Sequence, residues 1–70
     1  MTTVHVQDLR TARLCLRGAR GWFRRHGFDW SDFLAHGIAA ERLTATGDAN
    51  ASRVVRIAEA REAREARNGR

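Results

Sequence analysis

Seventy residues, a formal net charge of +5 and a single cysteine bound the chain to one small domain, near the size at which a lone core is only marginally sufficient. One cysteine, Cys15, excludes an internal disulfide and reads as a reduced, intracellular setting. No apolar run approaches the ~20 residues of a membrane span, and the opening Met-Thr-Thr-Val-His-Val is not a signal peptide. All thirteen basic residues are arginine, a bias that phosphate binding and a GC-rich genome both produce. Residues 1–26 hold six arginines against Asp8 alone, whereas residues 27–70 hold seven arginines and seven acids. The whole basic excess therefore lies in the first third of the chain.

In chain order, residues 1–7 read as a flexible N-terminus. From Asp8 to His26, Leu9, Ala12, Leu16, Ala19 and Phe23 recur at spacings of three and four, one face of a helix. Asp8 suits its N-cap or first turn. Gly18 and Gly21 each cost ~1 kcal/mol in a helix interior, and Leu14 points about 170° from the apolar stripe. A break between Cys15 and Gly21 is expected, or else a second contact for Leu14.

Glycines at 27, 37 and 47 then punctuate the chain. Phe23 and Phe33 each stand four residues before a glycine that an apolar residue follows, the spacing of a Schellman ending with clasps Phe23–Phe28 and Phe33–Ile38. Asp29, with Asp32 three residues on, opens the next helix, where Trp30, Phe33 and Leu34 form its apolar set. A short helix over about 39–46 contributes Leu43. Asp48 caps the last helix, which buries Ala51, Val54, Val55 and Ala58, with Ile57 flanking. After Ile57 the Glu-Ala-Arg repeat has a period of three, so its charges spiral around the axis; Arg61 and Glu65 are one i, i+4 pair. The expected fold is all-α: four or five short helices with Gly-terminated turns over residues 8–58, followed by a charged, fraying tail at 59–70 that is disordered before Arg70.

Arg10, Arg13, Arg17, Arg20 and Arg24 follow the apolar stripe one residue out of step. On a continuous helix they make a basic ridge about 110° from the buried face. A phosphate backbone, an acidic protein partner, or simple solvation of an amphipathic helix each account for such a ridge. Trp22, at the edge of the apolar face, is a candidate interface anchor. A helix-turn-helix around Gly37 fits poorly, because bulky Phe33 stands where close packing wants a small side chain. His26 and His36 suit helix C-termini better than a metal, and Cys15 reads as a small buried hydrophobe. The sequence offers no paired-histidine or multi-thiol metal motif, no cofactor loop and no catalytic carboxylate pair, so an enzyme is not expected.

With these residues in view, Asp8-Leu-Arg, Cys15-x-Arg-Gly18-x-Arg-x-Trp22-Phe-x-x-His-Gly27-Phe-Asp-Trp30-x-x-Phe33-x-x-x-Gly37-Ile and Thr46-Gly-Asp48-Ala together resemble a group of small phage and prophage proteins encoded in GC-rich bacteria. The resemblance covers roughly residues 8–58. It implies the cytoplasm of a bacterial host, or association with the virion, and a part in assembly or in handling phage DNA. The functional expectation is a non-enzymatic module that binds another protein through Arg10, Arg13, Arg17, Arg20, Arg24 and Trp22. Non-specific nucleic-acid binding by the arginine ridge is the alternative, and self-association the third reading.

Overall fold

A twenty-residue helix near the C-terminus organises the molecule, because three other elements pack on it. The computed structural model describes residues 1–68. Its elements are β1 (Thr3–Val4), α1 (Val6–Thr11), α2 (Leu16–Arg25), α3 (Trp30–His36), β2 (Ile38–Ala39), α4 (Ala40–Thr44) and α5 (Ala49–Asn68). Helices α1 and α4 and strand β1 pack on α5, while α2 packs on α3. Val4, Leu9, Phe23, Phe33, Ile38, Leu43 and Val54 fill the common core, with Ala51, Val55 and Ala58 buried beside them. The all-α expectation holds, with one addition. Strands β1 and β2 pair antiparallel, Thr3 opposite Ala39 and Val4 opposite Ile38.

That pairing corrects the reading of residues 1–7 as flexible. Val4 is fully buried, and Ala40 N–H donates to the Thr2 carbonyl at 2.9 Å. The anchoring continues into the segment read as a fraying tail. Asp8 is 1% exposed and lies in the first turn of α1, where it accepts from the His5 amide at 2.9 Å. Arg61 of α5 grips both its oxygens, Nε at 2.9 Å and Nη2 at 3.1 Å. The same guanidinium donates to the Thr3 carbonyl at 2.9 Å and to Glu65 at 3.1 Å. Glu62 accepts from the Thr3 amide at 3.0 Å. This contact, chiefly, holds the Glu62 carboxyl below its ordinary pKa, and the hydrogen bond to Asp8 holds the Arg61 guanidinium above its own. Helix α5 runs on to Asn68; the disorder expected ahead of Arg70 concerns residues 69–70, outside the described residues.

The first long helix does break, but earlier than expected. Helix α1 ends at Thr11, and both Gly18 and Gly21 lie inside α2. The ending at Ala12–Leu14 is a Schellman motif without glycine. Arg13 N–H donates to the Arg10 carbonyl at 2.9 Å and Leu14 N–H to Leu9 at 3.1 Å. Arg13 takes the left-handed conformation at φ 60°, which costs an L-residue about 1–2 kcal/mol. Leu14 is thereby turned back against the core, resolving its misfit with the stripe.

Of the glycines at 27, 37 and 47, only Gly27 forms the full expected motif. Phe28 N–H reaches the Phe23 carbonyl at 2.8 Å and Gly27 N–H the Arg24 carbonyl at 3.1 Å, and the Phe23 and Phe28 rings meet edge-on at 5.7 Å. Gly37 (φ 79°, ψ −175°) instead leaves α3 in an extended direction, straight into β2. The expected Phe33–Ile38 Schellman ending is absent because Ile38 joins the strand pair. At Gly47 a hydroxyl intervenes: Thr46 donates to the Leu43 carbonyl at 2.7 Å and accepts from the Asp48 amide at 3.2 Å. Asp48 then caps α5 as expected, accepting from Asn50 at 2.8 Å and Ala51 at 3.1 Å.

Candidate interaction surface

The break at Ala12–Cys15 divides the arginine ridge. Arg10 belongs to α1 and Arg13 to its closing turn, so neither is in line with the rest. Arg17, Arg20 and Arg24 remain on α2, within about 60° of one another around its axis. All five side chains are exposed. Among the described residues the salt bridges are those of Arg61, so these five arginines face solvent without carboxylate partners. The alignment of Arg17, Arg20 and Arg24 on α2 follows from helical spacing.

Trp22 does not share that surface. Two residues of helix carry it about 200° around from both Arg20 and Arg24. Its indole donates to Asp48 at 3.2 Å, and its ring packs on His26 at 4.3 Å and on Phe28 at 5.9 Å. The amides of Ala51 and then this indole stabilise the Asp48 carboxylate and keep its pKa below the ordinary value. Trp22 is a strut between α2 and the start of α5, and the combined surface of ridge plus Trp22 is corrected accordingly.

What stands beside the ridge is a different aromatic pair. Arg20 and Arg24 line a notch of about 290 Å³ with Phe28, Asp29, Trp30 and Ser31. Phe28 and Trp30 are each half-buried. Trp30 is held by edge-on contact with Phe23 at 5.1 Å, and the Phe28 ring carries the Arg42 guanidinium at 4.9 Å. Asp29 is committed to the start of α3, accepting from the Asp32 amide at 3.0 Å. One turn along α3 from Trp30, Leu34 is 50% exposed, contrary to its expected place in the core. A seven-residue helix lying on one neighbour buries one row, and Phe33 occupies it. Apolar spacing does not single out Phe28, Trp30 and Leu34 as partly exposed, because it shows which residues are apolar, not which row wins the core.

On the other side of α2 lies an apolar groove of about 280 Å³, lined in part by Leu14, Cys15, Gly18, Ala19, Trp22 and Val54. Cys15 is exposed, not buried as expected. It occupies the N-cap of α2 without a side-chain cap hydrogen bond, yet the nearby amides of Gly18 and Arg17 favour its thiolate and lower its pKa. Among the described residues no three His, Cys, Asp or Glu side chains are grouped to hold a metal ion, and no helix is long and apolar enough to cross a membrane. In comparisons with known proteins, no family model matches the chain, and no curated protein or solved structure is significantly similar to it.

Proposed function

We propose that the chain is a non-enzymatic protein-interaction module whose contact surface is the α2–α3 face. One observation carries this reading: half-buried Trp30 shares a notch with the unpaired Arg20 and Arg24, and exposed Leu34 lies one turn along α3 from it. An apolar centre with a charged rim is the usual anatomy of a protein interface. The rim is basic, so the partner is acidic. Most carboxylates near the body of the domain already have structural work, Asp8 in the clasp with Arg61, Asp29 and Asp48 at helix starts, and Glu62 on the Thr3 amide, which supports a binding role over catalysis. A setting in the bacterial cytoplasm or virion, as a phage or prophage accessory or assembly protein, rests on the resemblance over residues 8–58 alone.

The test is quantitative recovery from a host lysate, identification of the retained protein, and titration of that purified protein against wild type, Arg20→Glu and Leu34→Ser. Both variants are expected to lose binding while keeping the helical circular-dichroism signal. Undiminished binding by both removes this face from consideration. The unpaired arginines also favour a second reading, non-specific nucleic-acid binding. Titration with duplex DNA at about 50 and about 200 mM salt checks it, since phosphate contacts weaken steeply over that range.

A further inference from the structure

We infer that the partner element seated on the α2–α3 face is an acidic amphipathic helix lying along α2, with its carboxylates over Arg17, Arg20 and Arg24 and an apolar side chain in the notch. This rests on the reading of that face as a protein-binding surface and specifies its occupant. Three features of the site support it. Arg17, Arg20 and Arg24 advance along α2 by about 4.5 Å and then 6 Å. A partner helix bearing acids at i, i+3 and i+7 advances by the same steps, whereas an extended strand presents same-side residues every ~6.8 Å and falls out of register. The notch at the Arg20–Arg24 end offers Phe28 and Trp30 to an apolar side chain within an otherwise polar lining of Arg20, Arg24, Asp29 and Ser31, and exposed Leu34 lies one turn beyond Trp30 on α3.

Charge at the notch separates this occupant from a nucleic acid. Asp29 lines it together with the two arginines. A phosphodiester chain is negative along its whole length and meets that carboxylate with repulsion. A helix carries acids on one edge only and sets apolar or basic residues against Asp29. The Phe28 ring is also a poor stacking platform, since Arg42 covers it at 4.9 Å and His26 lies near-parallel at 6.1 Å.

The experiment uses the full chain and three probes followed by fluorescence anisotropy. The first is a side-chain-stapled helical peptide of about 18 residues, five turns, with Glu at i, i+3 and i+7 and Leu on the adjoining stripe. The second has the same composition with that spacing scrambled, and the third is single-stranded oligothymidine of about 20 nucleotides. The patterned helix is expected to bind at least about tenfold more tightly than the scrambled one. Arg20→Glu should lose that preference, and a peptide with Lys in place of Glu should recover binding to Arg20→Glu/Arg24→Glu. Equal binding of the two peptides, or tighter binding of oligothymidine than of either, overturns the inference. If the peptides fail while a purified protein partner still binds through Arg20 and Leu34, the interaction surface stands and only its helical occupant is wrong.

Discussion

Arg61 and Arg20 carry the same side chain in opposite circumstances. Arg61 is 12% exposed and its guanidinium meets two carboxylates and a carbonyl; Arg20 is exposed and meets none. On the α1–α5 side charge is spent on holding the chain together, because Asp8 is buried and needs a partner. On the α2–α3 side charge is left to solvent beside apolar side chains that are only partly covered. The contrast teaches that arginine content says little by itself in this chain. What separates Arg61 from Arg20 is that a buried acid lies opposite the one and not the other.

The hardest blow to that contrast is Arg61→Ala. It strands Asp8 in the interior, and breaking a buried pair costs about 3–5 kcal/mol, enough in a domain of this size to unfold a large fraction at room temperature. Urea titration followed by circular dichroism measures it. A loss below about 1 kcal/mol would place Arg61 among ordinary surface ion pairs.

Gly37→Ala comes next. Its Cβ would lie 2.7 Å from the Val4 carbonyl oxygen at φ +79°, whereas a Cβ at Gly27 meets nothing within 4 Å. We expect about 2–4 kcal/mol for Gly37→Ala, from left-handed strain plus overpacking, and about 1 kcal/mol for Gly27→Ala. Equal midpoints for the two would show that strand β1 yields freely.

Acid separates the two sides more gently. Glu62 and Asp48 both have lowered folded-state pKa values. Their stabilisation is complete above the unfolded carboxylate value of about 4 and is lost as pH falls through the lower folded value. The melting temperature should therefore hold level down to about pH 5 and decline below the ordinary carboxylate range, with a shallower decline in Glu62→Gln. An unchanged slope in that variant removes Glu62 from the account.

The smallest effect belongs to Arg20→Gln/Arg24→Gln. With no intramolecular partner to lose, each change should alter stability by no more than about 0.5 kcal/mol, and thermal melts should nearly superimpose on wild type. A large shift would mean that these arginines support the fold.

The features read correctly from the chain are local ones. The Phe23–Phe28 clasp at Gly27, the Asp48 cap and the Ala51–Ala58 face each depend on residues within a few positions, where backbone geometry and helix periodicity decide. The clasp between Asp8 and Arg61 spans 53 positions, and β1 is only two residues long, so neither leaves a periodic trace. Arg13 in a left-handed turn defeats a search for glycines, since the same two hydrogen bonds form at higher cost. The separation of Trp22 from the ridge differs in kind: the 100° step of a helix already places them on opposite sides. Nothing local indicates that Leu34 yields the core to Phe33, because that depends on where α2 lies.

The union of β1 with α5 has a consequence for the order in which the molecule can be made. Thr3 and Glu62 are 59 positions apart, so a nascent chain carries Asp8 without its counterion until nearly all the remaining helices have been synthesised. The early helices can form and drift against one another, but closing so long a loop delays the final docking. Closing the clasp thus waits for Arg61, and a chain interrupted before that residue would leave a carboxylate seeking water where the finished protein has the most enclosed charge among its described residues.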